Sequence, residues 1–254
     1  MLIAALLTAL LSPEAPPQPD FLTRAAAARY ETSADQYADC VALIAENPEL
    51  GEASARAWMI DGGGAPALHC AAVAHLALDR PRLAAVRLLE LSERSDVGDD
   101  DARATVLGEA ALAWVEAEEP GFAEEAAEAA LASAPWRADL AIVAAKAHAS
   151  AGSWQAAADA VTAAEDGDAK TAEAYIIRAR AKRALGKDEE AAEDVVRALQ
   201  LNPFDLDALV LRGELIQAGV IINANYRKPT RAEAATAVPE ETNDSADDKP
   251  ELRE

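Results

Sequence analysis

Residues 172–203 read AEAYIIRARAKRALGKDEEAAEDVVRALQLNP: two helix-forming stretches joined at Leu185-Gly186-Lys187 and closed by Asn202-Pro203. Ala, Leu, Arg, Lys, Glu and Gln, the residues that lose least in a helix, fill both stretches. Gly supplies the turn between them, and Pro cannot continue the second. The segment therefore predicts a helix hairpin. Its small residues, Ala179 in the first helix and Ala191 and Ala198 in the second, mark where two helices can approach closely.

The same marks recur along the chain. Ala111, Ala145, Ala179 and Gly213 stand 34 residues apart, as do Ala123, Ala157 and Ala191, and Ala130, Ala164 and Ala198. Three phased series at one spacing identify an internal repeat, in which each unit buries its apolar face against its neighbours. Upstream, Ala72 and Ala84 continue two of the series at a spacing of 39, and the five extra residues are assigned to an acidic loop, Asp96 to Asp101. Ser33 to Glu46 and Pro48 to Ile60 read as one more helix pair, ended by Gly62-Gly63-Gly64. Leu206 to Ala218 reads as a last helix without a full partner, as the cap of a repeat array requires.

This period and these offsets resemble the tetratricopeptide repeat family, in which small residues sit where helices A and B of each repeat cross. The best match runs through Tyr175, Ala179, Gly186, Ala191, Ala198 and Pro203. Asp79 and Glu118 stand where the turn Gly is usual, and Arg178 where a large apolar residue is usual. The resemblance implies an all-α, right-handed superhelical solenoid of antiparallel helix pairs over residues 33–227. It also implies a non-catalytic scaffold that binds a partner protein or peptide through its concave face. The alternatives are a structural protein that self-associates through the solenoid, and a metal-binding protein using Cys40, His69 and Cys70.

Composition supports the helical reading. Hydrophobic residues make up 51% of the chain but aromatics only 4%, so Ala carries the core. No alternating Val, Ile and Thr segments bounded by turns occur, so strands are not expected. The formal charge of −22 argues against nucleic acid as a partner, because such ligands need a basic footprint. No segment is long and apolar enough for a membrane span, so an integral membrane protein is not expected. Residues 1–20 read as a signal peptide and Pro-rich stem, which would make the protein exported or periplasmic; a cytosolic N-terminal helix is the alternative. Residues 228–254 read as a disordered acidic tail with little to bury.

Family positions that line the concave face carry over as Asp139, Ile142, Lys146, Ala149 and Ser150, then Glu173, Ile176, Arg180, Arg183 and Ala184. The next helix supplies Asp207, Val210, Glu214, Gln217 and Ala218. Ile142, Lys146, Ile176, Arg180, Arg183 and Val210 would then form a groove suited to an acidic or carboxylate-ended peptide. The competing reading is a solvated face whose arginines pair with Glu189, Glu190, Glu193 or Asp194. The family's specialised carboxylate clamp, Lys and Asn on one helix, is not matched by Ile142 with Lys146 or by Ile176 with Arg180.

Cys40 and Cys70 would lie mid-helix on neighbouring A helices, which permits a disulfide in an exported chain. Two separate buried thiols are the alternative. His69, His75 and His148 read as ordinary helix residues, and the tight spacing of a metal site is absent. No cofactor is expected, and no nucleophile elbow, phosphate loop or dinucleotide motif occurs that would point to an enzyme. Glu124-Glu125 and Glu189-Glu190 read as complements to helix N-termini. Trp58, Trp114, Trp136 and Trp154 read as core residues rather than ligand-stacking ones, with Trp114 and Trp154 at positions where the family places bulky packing residues.

Overall fold

The computed structural model describes residues 21–222, with side chains from Ser33 onward. The expected leader and stem, the expected tail, and the last five residues of the expected solenoid lie outside the described residues. Eleven helices and no strands occur among the described residues. They are α1 (Phe21–Glu46), α2 (Pro48–Ile60), α3 (Gly64–Ala77), α4 (Pro81–Ser92), α5 (Asp100–Glu116) and α6 (Pro120–Ser133). Then follow α7 (Ala138–Ser150), α8 (Trp154–Asp166), α9 (Ala172–Ala184), α10 (Asp188–Leu201) and α11 (Leu206–Gln217). The chain divides into two compact units, Met1–Arg87 and Leu88–Glu254, with the boundary inside α4.

In unit 2, consecutive helices pack as hairpins (α5 on α6, α7 on α8, α9 on α10), and the first helix of each hairpin packs on the first helix of the next. Ala111, Ala145 and Ala179, Ala123, Ala157 and Ala191, and Ala130, Ala164 and Ala198 are all fully buried. The repeat of small residues is thus a repeat of helix crossings, where a larger side chain would force the backbones apart.

In unit 1, α2 packs on both α1 and α3. Asn47 caps α2 by accepting a hydrogen bond from the Leu50 amide at 3.0 Å, and Pro48 opens the helix. Gly51 permits a close helix contact: a Cβ there would stand 2.3 Å from Ile44 Cγ1.

Left-handed residues keep the period. Asp79, Glu118, Gly152 and Gly186 all have positive φ, between 55° and 75°. The turn glycines expected at 152 and 186 are there, and Asp79 and Glu118 take the same backbone conformation without being glycine. That conformation crowds an L side chain. Glu118 is exposed, so Glu118→Gly should stabilise the chain by about 0.5–1 kcal/mol, read as a rise in thermal midpoint. An unchanged or lowered midpoint would show that the surrounding turn has already relaxed the strain.

Three expectations shift. The first helix begins at Phe21 rather than Ser33. The acidic loop is shorter than expected: Asp99 caps α5 by accepting from the Ala102 amide at 2.9 Å, and Asp100 and Asp101 form its first turn. Glu189 and Glu190 lie in the first turn of α10, but Glu124 and Glu125 lie beyond the first turn of α6. Glu124 instead meets His148, with Nδ1 to Oε1 at 2.9 Å, and that contact leads in holding its carboxyl below the ordinary range.

Candidate functional site on the first-helix face of unit 2

On α9 the basic residues divide by angle. At about 100° per residue, Arg178 and Lys182 share one face, and Arg180 and Arg183 another. The first pair turns inward. Arg178 is buried and donates through Nε and a terminal nitrogen to the two Asp194 oxygens at 2.9 and 2.7 Å. Its other terminal nitrogen reaches Glu165 at 2.7 Å. Lys182 and Arg197 also meet Asp194, at 2.8 and 3.1 Å, and Asp194 has no solvent exposure. The Tyr175 hydroxyl donates to Glu165 at 3.1 Å, while Arg178 and Arg197 lie over its ring. Burial pushes the Glu165 carboxyl up, but the hydrogen bond and charge of Arg178 and the Tyr175 hydroxyl outweigh it and hold it below its ordinary value.

The second pair turns toward α11. Arg180 meets Asp207 at 3.0 Å, and Arg183 meets Glu214. One repeat earlier, Lys146 on α7 meets Glu173 on α9 at 2.7 Å. Lys146 and Arg180 are 34 residues apart, as are Glu173 and Asp207. A cation on one first helix thus repeatedly reaches an acid in the opening turn of the next. These side chains are partly to largely exposed, so each rung contributes about 0–1 kcal/mol to stability. Between α9 and α11 the face opens into a cavity of 410 Å³ lined by Arg180, Arg183, Ala184, Asp207, Val210, Leu211 and Glu214.

Of the six expected groove residues, Arg180, Arg183 and Val210 come together in that cavity. Lys146 forms its rung one repeat away. Ile142 and Ile176 are buried in the core clusters and do not line the cavity. Of the acids expected to pair with these cations on a solvated face, Asp194 does so in a buried cluster, and the exposed pairs of Arg180 and Arg183 use other acids. Asp194 takes Arg178 and Lys182, Glu190 lies at 3.9 Å from Lys182, and Arg180 and Arg183 take Asp207 and Glu214.

Elsewhere, Cys40 on α1 and Cys70 on α3 have Cα atoms 6.5 Å apart and sulfurs at bonding distance, a disulfide-capable pair. His69 Nδ1 lies 2.7 Å from the Tyr37 hydroxyl. Among the described residues, no group of three or more His, Cys, Asp or Glu is placed to hold a metal ion. No described helix is long and apolar enough to cross a membrane. Trp114 is buried and stacks on Phe122 at 4.9 Å, and Trp154 packs against Ala157, Ala158 and Ala181. Trp136 is exposed, outside any core.

Solved structures share this architecture. A thermophilic tetratricopeptide repeat protein of Thermus thermophilus, TTC0263, superposes with a TM-score of 0.53 at 21% identity, covering 73% of this chain and 99% of its own. MamA from Desulfovibrio magneticus RS-1, residues 41 to end, gives 0.57 at 15%, covering 68% and 97%. YrrB, described as a tetratricopeptide repeat protein with an unusual peptide-binding site, gives 0.55 at 17%, covering 76% and 98%. No family model and no curated protein matches the chain. The chain has the tetratricopeptide repeat fold.

Proposed function

We propose that this chain is a non-catalytic protein-interaction scaffold, and that unit 2 receives a segment of its partner on the face formed by α7, α9 and α11. The observation that carries the reading is the cavity between α9 and α11, where two arginines stand beside the half-exposed Val210. A peptide carboxylate would replace Asp207 or Glu214 on Arg180 or Arg183, while an adjacent apolar side chain covers Val210. The peptide-binding site of YrrB supports a binding role for the fold by analogy.

Arg180→Gln with Arg183→Gln tests the site. Arg180 is exposed and Arg183 partly so, and their ion pairs contribute little, so the double variant should keep its helical circular dichroism. Its affinity for a partner captured by the wild-type chain should fall about tenfold or more by calorimetry. Unchanged affinity in the folded variant would remove the face from the account.

Self-association is the second reading, favoured by the exposed Phe204, Leu206, Val210 and Ile216 at and along α11. A mass from light scattering that grows with concentration would support it over a monomeric adaptor. The export reading extends the proposal to the cell envelope. Intact mass spectrometry from the native host tests it, since an untrimmed N-terminus with two free thiols would overturn it.

A further inference from the structure

The helix pair α1–α2 is tight at its turn, where Gly51 lies on Ile44, and leaves a cleft farther along. The cleft measures 860 Å³, within the roughly 300–1,000 Å³ of ligand sites. Cys40 and Leu43 of α1 and Trp58 of α2 supply its less exposed lining. The Trp58 indole rests against Gly63, where a Cβ would stand 2.5 Å from Cδ1. Ser33, Gln36 and Ser54 add neutral polar groups.

Among the described residues, the charged groups lining the cleft are all acidic. Asp39 on α1 and Asp61 at the C-cap of α2 line it and are exposed, and neither side chain has an ion-pair or hydrogen-bond partner among the described residues. No described Lys, Arg or His lines the cleft. The end of α2 also presents the negative pole of its backbone dipoles. A Trp side chain beside carboxylates suits a cation, since an indole ring attracts the same charge that carboxylates pair with.

We propose that this cleft binds a basic side chain, arginine or lysine, presented by a segment of a partner protein. An anion would meet two carboxylates and a helix C-terminus. A purely apolar group would strip water from both carboxylates without compensating them. The volume accommodates such a side chain with its flanking backbone, and the chain's charge of −22 steers basic segments toward it.

The test uses the full chain, ¹⁵N-labelled, titrated with Nα-acetyl-arginine N-methylamide and, separately, with its neutral citrulline counterpart. The indole signal of Trp58, assigned through Trp58→Phe, should shift saturably with the arginine probe and not with citrulline. The indoles of Trp114, Trp136 and Trp154 should stay in place. Asp39→Asn with Asp61→Asn should weaken the response about tenfold or more, while Glu125→Gln with Glu128→Gln, which removes equal charge from the exposed side of α6, changes it less than about twofold. Backbone spectra report folding of each variant. Equal response to citrulline, equal loss in the α6 variant, or an unmoved Trp58 signal would overturn the proposal. Arg180→Gln with Arg183→Gln leaves this response intact, so its outcome is separate from that of the unit 2 face.

Discussion

Asp194→Ala lowers the stability of unit 2 by about 3–5 kcal/mol, because it breaks a buried ion pair from one side. The carboxylate has no solvent exposure and receives Arg178 twice, Lys182 and Arg197. Removing it leaves Arg178 buried on α9 with Glu165 as its remaining charged partner, Lys182 with only Glu190 at 3.9 Å, and Arg197 without its ion pair. Chemical denaturation should report the loss, and hydrogen exchange should place it in α9 and α10. Asp194→Leu with Arg178→Leu should lose clearly less than the sum of the two single changes, because neither charge is then left alone. A loss below about 1 kcal/mol for Asp194→Ala would mean that water reaches the cluster and the pair is worth no more than a surface one.

In the oxidised protein, Cys40→Ala with Cys70→Ala lowers the stability of unit 1 by about 3–4 kcal/mol, from the loop-closure entropy of a cross-link spanning 30 residues. Reductant should bring the wild-type chain down to the level of the variant while leaving the variant unmoved. If reductant changes neither, the two sulfurs are thiols that fill space, and the first helix is held by packing alone. Cys40, Ile44, Ala55, Cys70, Ala71 and Ala74 form the small core around the pair. With so few large side chains there, the cross-link carries weight that a larger core would share.

The helix pairs of unit 2 were legible because the signal was geometric. A residue small enough for a crossing must recur wherever the crossing recurs, and Ala111, Ala145 and Ala179 do so in an otherwise variable sequence. The start of α1 was not, because Ser33 looks like an N-cap yet lies inside a helix that begins at Phe21. A hydroxyl side chain reads the same at a helix end and on its surface. Among the proposed site residues, Arg180, Arg183 and Val210 could be placed on one face from helical angle alone. Ile142 and Ile176 could not be assigned to core or surface, because that depends on how closely the next helix lies over them.

The inward cluster left a trace in the sequence. Arg178 occupies an apolar position, and Asp194 falls in the stripe Ala191, Val195, Ala198 that buries α10. Two opposite charges, each out of place on facing helices, are each other's explanation.

The cations on the face of unit 2 already have internal partners, and this sets how binding would respond to salt. A carboxylate that takes Arg180 or Arg183 frees Asp207 or Glu214, so about as many ion pairs break as form. Screening weakens the old pair and the new one together. Affinity at this face should therefore change only gently with ionic strength, while basic segments drawn by the chain's overall charge would be lost steeply as salt is added.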